Sequence, residues 1–331
     1  MGHRAGLDLG CVDGLVHVLL LAQRPCRFDA SRHLMNTSSS EQAERDSVWL
    51  ASMPVVFVLI WSTGFIVARF GMPHAPPFGF LAWRYALSVV GLMLWALAAQ
   101  VTWPSRDQWR HLGVTGILMH AGYLGGVWAA VKGGLGAGLS ALIVGLQPVL
   151  TAMWLAYRGG QIHPRQWAGL LLGLVGLALV IGDRMGQGVV TLENGAWILL
   201  GLFSITAGTL YQKRFVKPCD VRGANALQLS AALLVTLPLA FWESEAVRWN
   251  AESVGAMAWS VLALTMGASS LLYMLIQRGA ATSVASLMYL VPPCTALLAW
   301  LLFDEPLGWR VLIGVAVTAW GVWWVVRNGT K

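Results

Sequence analysis

Ten stretches of this 331-residue chain contain no Asp, Glu, Lys or Arg: 47–68, 85–105, 111–131, 133–157, 166–182, 194–212, 223–242, 253–277, 279–303 and 311–326. A helix that crosses a bilayer needs about 20 mostly apolar residues, within a range of about 17–25. Only helices and closed barrels satisfy their own backbone inside lipid. Barrel strands alternate apolar and polar residues, whereas these stretches are continuously apolar. Charged residues make up 11% of the chain, against about 25% in an average soluble domain. The pattern predicts an all-α integral membrane protein with ten transmembrane helices, TM1 to TM10. TM2 is expected to begin before its stretch, near Pro77, and so to carry Arg84 inside it.

The connections are short, which leaves the chemistry to the helices and their ends. If the N-terminus is cytoplasmic, eleven Lys/Arg fall in inside loops and the C-terminus and five fall outside. That bias predicts cytoplasmic termini at both ends of the chain and a cytoplasmic (inner) membrane location. The acids lean the other way, with Glu243, Glu245, Glu252, Asp304 and Glu305 outside. Residues 1–47 read as an N-terminal tail. Translation is expected to start at Met35, leaving residues 1–34 without a structural role. Four scattered cysteines and no Cys-x-x-Cys spacing point away from a disulfide framework or a zinc site. The formal charge of +7 follows no basic stripe, so nucleic acid is not an expected partner.

The chain repeats itself. A displacement of 145 carries Arg69-Phe70 onto Arg214-Phe215, Gly122 onto Gly267, Gly134 onto Gly279, Pro148 onto Pro293 and Arg165 onto Arg310. One unit is five helices long, residues 48–182 and then 194–327. An odd number of spans reverses direction across the bilayer, so the second copy is expected to be inverted. Inverted repeats are a recurrent transporter architecture, with the substrate site near mid-membrane between the halves. The bland alternative is a duplication that merely doubles a stable bundle.

The segments WSTGFIVARFG, FLAWRYALS, GLSALIVGLQPVLTAMWL and RQWAGLLLGLVGLAL, and the second copy SVASLMYLVPPCTALLAWLLFDEPLGWRVLIGVAVTAWG, resemble the EamA-type repeat of the drug/metabolite transporter superfamily. The resemblance covers about residues 48–327. It implies movement of small metabolites, commonly amino acids, or of toxic compounds, by alternating access and most often outward. The sequence departs from the family where an acid usually follows the fourth helix. Arg158-Gly159-Gly160 stands there, whereas Asp304-Glu305 holds the matching place in the second half.

Polar groups inside a membrane are costly, so each is a functional candidate. Arg84 lies seven residues beyond Pro77, about 10 Å along the helix, and could clamp a substrate carboxylate bidentately. Snorkelling to the headgroups is the competing reading. The displacement puts Leu229 opposite Arg84, which makes neighbouring Gln228 the expected polar counterpart in TM7. His120 in TM3 offers a proton carrier or a neutral hydrogen-bonding group, with Tyr123 on the same face. Gln147, beside Pro148, sits at a helix break matched by Pro292-Pro293. Trp61 and Ser62 in TM1, Tyr211 in TM6, and Tyr273 and Tyr289 complete the expected substrate-binding set. Gly122–Gly126, Gly134–Gly138 and Gly169–Gly173 read as helix-packing pairs. TM5 and TM10 are nearly featureless and suit packing or homodimer contacts.

No Asp or Glu falls inside any of the ten stretches. Coupling must then use His120, the substrate's own charge, or simple exchange down a gradient. No Walker A motif is present and no cofactor is expected. His111 and His163 lack the spacing and carboxylate partners of an integral-membrane enzyme. The leading expectation is a non-enzymatic secondary transporter that exports a small amino-acid-like or amphipathic solute by alternating access, with an uptake permease or a passive membrane scaffold or regulatory protein as the alternatives.

Overall fold

A computed structural model describes residues 38–158, 189–269 and 290–306, with single positions or short pieces at 168, 171–172, 175–176, 271, 308–309, 312–317 and 320. The expected start at Met35, Tyr273, Tyr289, His163 and most of TM5 and TM10 lie outside the described residues. Within them the regular elements are helical: α1 (Ser38–Gly71), α2 (Pro77–Ala98), α3 (Arg106–Gly116), α4 (Tyr123–Lys132), α5 (Ala137–Val144), α6 (Gln147–Tyr157), α7 (Leu192–Phe215), α8 (Val221–Trp242), α9 (Ala251–Trp259) and α10 (Val291–Phe303). A π-helical segment, Ile117–Gly122, joins α3 to α4, and a second, Ser260–Ala268, extends α9.

Among the described residues four stretches are long and apolar enough to cross a membrane: Ser52–Gly71, Pro77–Ala98, Arg106–Lys132 and Val221–Trp242. Helix α2 starts at Pro77, where the fixed proline φ suits the first helical position and the missing N–H is no loss. Its Leu87, Val90, Leu94 and Leu97 are exposed, while Phe80, Leu81, Tyr85, Ser88 and Leu92 on the other face are buried. An exposed apolar stripe of that length is the face a membrane helix turns to lipid. Polar caps fix the other starts. Thr191 and Asn194 form a reciprocal capping box on α7, Asn250 and Ser253 do the same on α9, and Asp220 caps α8.

Small residues set the packing. α2 packs most extensively on α8, and α4 on α7. A methyl added to Gly126 would lie 2.5 Å from the Trp197 carbonyl oxygen, and one on Gly122 would lie 2.6 Å from Ser204 Oγ. The Gly122–Gly126 pair therefore brings α4 against α7, as expected of packing glycines. Gly138 meets Ala296 of α10, whereas Gly134 (φ 93°) makes the turn before α5. Helix TM4 is divided at Gly145–Leu146 into α5 and α6, and α10 starts at Val291 with Pro292 in its first turn. The two breaks meet: a Cβ on Gly145 would stand 2.8 Å from Pro292 Cγ.

Candidate functional site

The two π segments occupy equivalent places. The displacement of 145 carries Ile117–Gly122 into Ser260–Ala268. A π turn widens the helix and releases backbone groups from the regular ladder, which is why such turns gather at functional sites. Side chains take up two of the carbonyls here. Tyr85 Oη, on α2, donates to the His120 carbonyl at 2.9 Å, and Thr265 Oγ1 donates to the Ser260 carbonyl at 2.9 Å.

Arg84 lies between these segments. It is 8% exposed. One terminal nitrogen reaches Thr265 Oγ1 at a long 3.4 Å, and its Nε has no hydrogen-bond partner. No carboxylate pairs with it among the described residues. An unpaired buried guanidinium is strongly unfavourable, because desolvation is not repaid by a counter-charge.

The guanidinium faces a cavity of about 810 Å³, its open mouth included. Trp61, Gly64 and Phe65 of α1 form one wall, at the i, i+3, i+4 spacing of a single helix face. His120, Tyr123 and Trp128 contribute from TM3, Ile205 from α7, Asn225 and Leu229 from α8, and Leu264, Thr265 and Ser269 from TM8. Positions related by the displacement line it in pairs: Arg84 and Leu229, His120 and Thr265, Leu124 and Ser269.

Of the residues expected from sequence, the structure brings Trp61, Arg84, His120 and Tyr123 together at this cavity. Ser62 is turned away: its hydroxyl donates to Val58 in its own helix at 2.7 Å, and its carbonyl accepts from Thr295 at 3.1 Å. Gln147 reaches Thr151 one turn on, within α6. Tyr211 sits toward one end of the bundle, 2.9 Å from His111 Nδ1 and packed on Phe215. Gln228 is buried on α8, its backbone against Gly116 and its side chain hydrogen-bonded to His120 of the cavity wall. Asn225, Thr265 and Ser269 are the polar lining that sequence reading missed.

The end of the bundle where α2, α5, α7 and α9 begin is tied by charge. Glu243, just after α8, accepts from the Phe78 and Gly79 amides in the first turn of α2, at 3.0 and 2.7 Å. Glu305, after α10, accepts from Ala137 and Gly138 in the first turn of α5, at 2.8 and 3.3 Å. Each carboxylate of the second half thus caps a helix of the first, where the orphan amides and the helix dipole favour an anion. Lys132 pairs with Glu245 at 2.7 Å, His74 with Glu252 at 2.6 Å, and Arg248 donates to the Pro73 carbonyl at 3.0 Å. Burial pushes the Glu243 carboxyl up from its ordinary value, against the pull of the two amides. The Lys132 ammonium holds Glu245 below its own.

A helical bundle around a central cavity, lined from both halves of the chain, is the build of a membrane transporter. The family model described as EamA-like transporter family matches residues 48–182 and again 195–327. The chain belongs to the EamA-like transporter family and is membrane-embedded. Similar proteins include an uncharacterized transporter of Archaeoglobus fulgidus, 26% identical over 275 residues, which span 80% of this chain and 93% of that one. A protein of Escherichia coli named a probable amino-acid metabolite efflux pump is 23% identical over 187 residues, covering 56% of this chain and 60% of its own. A solved crystal structure with 18% identity and a TM-score of 0.60 covers 84% of this chain and 98% of that chain, a likeness of fold.

Proposed function

We propose that this protein is a secondary transporter that exports a small carboxylate metabolite of about amino-acid size across the cytoplasmic membrane by alternating access. The observation that carries the reading is Arg84: a buried guanidinium with an unpartnered Nε facing a cavity lined from both repeats. A substrate carboxylate would supply the missing charge and accept from the unused N–H groups. Trp61, His120 and Tyr123, with Asn225, Thr265 and Ser269, form the rest of the substrate wall in this reading. Ten spans in two inverted five-helix units are supported by the matched π segments and the paired lining positions. Cytoplasmic termini are supported by the Lys/Arg distribution. Export, rather than uptake, is supported by the name of the E. coli relative.

The test is efflux from proteoliposomes loaded with radiolabelled carboxylates. Arg84→Gln should slow efflux at least about tenfold, the loss of ~1.4 kcal/mol or more of binding. Arg84→Lys should retain part of the activity, because it keeps the charge and loses the bidentate fork. Wild-type rates in Arg84→Gln, in protein that stays monodisperse, would overturn the reading.

A further inference from the structure

We propose that the adjoining ends of α3 and α7 form a headgroup site for a phospholipid with two phosphates, of the cardiolipin type. The proposal rests on the membrane embedding of the chain and is independent of Arg84 and of the direction of transport.

α3 and α7 run antiparallel where they meet. His111 Nδ1 lies 2.9 Å from Tyr211 Oη, and the His111 ring stacks on Phe215 at 5.4 Å. Three residues earlier on α3, Gln108 Oε1 accepts from the Lys217 amide at 2.9 Å, just past the end of α7. α3 belongs to the first matched repeat and α7 to the second, so this seam joins the two halves. Along it, residues 106–111 and 211–217 hold five bases, Arg106, Arg110, Lys213, Arg214 and Lys217, against one acid, Asp107. All five bases are exposed.

Two of these bases share one level and one side. Arg110 immediately precedes His111, and Arg214 immediately precedes Phe215. One residue back turns a side chain by about 100° around its helix. The sense of that turn reverses between antiparallel helices, so both arginines swing to the same side of the seam. The Arg214 guanidinium rests over the Phe215 ring, 5.3 Å from its centre, which holds it beside the seam. Packed helices have axes about 8–10 Å apart, so one headgroup can reach both side chains.

On each helix the exposed face beyond the arginine is apolar. Val114 and Ile117 follow Arg110 at the spacing of one face. On α7, Phe203 and Ala207 lie on the face that ends at Arg214. In a bilayer such faces are acyl-chain surface. Trp109 is half-exposed beside them and donates its indole N–H to the Pro104 carbonyl at 3.0 Å, an amphipathic ring suited to the headgroup level. Each helix thus offers a hydrocarbon track that ends in a guanidinium, a group that matches phosphate bidentately. A surplus of Lys/Arg draws any anionic lipid, by about 1 kcal/mol per charge. Two tracks with two guanidinium ends add a distinction between one phosphate and two. They fit a lipid whose glycerol bridge joins two phosphates and which carries acyl chains on each side.

The test is native mass spectrometry of the full chain in detergent, titrated with tetraoleoyl cardiolipin, dioleoyl phosphatidylglycerol, dioleoyl phosphatidylcholine or sodium pyrophosphate. The expected result is one cardiolipin per chain, bound more than about tenfold tighter than phosphatidylglycerol. Phosphatidylcholine should bind more weakly still, and pyrophosphate should not displace the cardiolipin. Arg110→Gln combined with Arg214→Gln should bring the two anionic lipids within about threefold of each other. The lipid-free melting temperature should stay unchanged, since both side chains are exposed. Arg110→Lys combined with Arg214→Lys should keep most of the preference, because it keeps the charges. The order of lipids in the wild type tests the proposal without any substitution. Phosphatidylglycerol bound as tightly as cardiolipin, or a preference that survives the double change to Gln, overturns the proposal in favour of general attraction to anionic lipid. Displacement of cardiolipin by pyrophosphate overturns it in favour of a soluble diphosphate anion.

Discussion

The two ends of the bundle are closed by different chemistry. At the end where α2 and α5 begin, contacts between the halves are charged and directional: Glu243 on α2, Glu305 on α5, Glu245 on Lys132 and Glu252 on His74. At the opposite end the contacts described between the halves include close approaches of small residues, as Gly126 also makes against Trp197 nearer the charged end. A Cβ on Gly116 would fall 2.1 Å from the Gln228 carbonyl oxygen, and one on Gly223 would fall 3.1 Å from Pro104 Cδ. Among the described residues, polar ties across that end include the Lys217 amide to Gln108 at 2.9 Å, His111 to Tyr211 at 2.9 Å and the Arg222 guanidinium 5.5 Å from the Trp95 ring centre. Carboxylate caps can be released and remade, each worth about 0.3–1 kcal/mol at an exposed helix start and ~2 kcal/mol when partly buried. Backbone-to-backbone packing is lost gradually, as helices tilt apart. Under the proposed alternating access, one end would latch by charge and the other by shape.

The largest effect should come from the shape-closed end. Gly116→Ala places a methyl inside the Gln228 backbone, which neither helix can avoid without moving apart. We predict a loss of about 1–3 kcal/mol, read as a fall in melting temperature in detergent, and a larger loss for Gly116→Val. An unchanged melt would mean that α3 and α8 separate freely. Glu305→Ala strips the cap from two α5 amides and should cost ~1–2 kcal/mol by the same assay. Glu305→Gln should recover part of that.

A pH series sharpens the contrast. The Glu243 carboxyl is raised above its unfolded value by burial. Its contribution to stability is complete below the ordinary carboxylate pKa of about 4.3 and is lost as pH rises through the folded value. At the other end, burial also pushes the Asp220 carboxyl up, but hydrogen bonds from the Arg222 side chain and backbone outweigh it, so the net direction is down. Its contribution is present above the unfolded pKa and is lost as pH falls through the folded one. Glu243→Gln should therefore flatten the decline of melting temperature with rising pH, and Asp220→Asn should flatten the decline on acidification. The same slope in both variants as in the wild type would deny the two ends their separate titrations. The smallest effect belongs to Glu245→Gln. Its pair with Lys132 is largely exposed, so the change should stay within about 0.5 kcal/mol and shrink further in high salt.

Much of this arrangement is legible in the sequence, and the misses have geometric causes. Pro77 marks the start of α2, and the charge-free stretch beyond it places Arg84 inside a span. The paired prolines mark the places where α6 and α10 begin. Gln228, the expected polar counterpart of Arg84, meets the site through His120. Leu229, the displaced equivalent of Arg84, lines the cavity itself, and Asn225 lies one turn before it on the same face. Trp61 lines the cavity, whereas the Ser62 hydroxyl is taken up by the Val58 carbonyl of its own helix. Thr265 and Ser269 were within reach, because the displacement that pairs the repeats carries His120 and Leu124 onto them. The carboxylate caps could not be read in advance. Glu243 and Phe78 are 165 residues apart, and only the packing of α2 on α8 brings them together.

Paired spin labels test the exchange between ends most directly. In a cysteine-free background, one pair at Pro73→Cys and Val254→Cys reports the charge-latched end, and another at Arg110→Cys and Lys213→Cys reports the shape-closed end. Distances are measured in nanodiscs with and without 3-phenylpropionate, and in Glu243→Gln combined with Glu305→Gln. The account predicts two populations at each end that shift in opposite senses, with the double variant lengthening the first pair and shortening the second. A single unchanging distance at both ends, or both ends widening together, would contradict it.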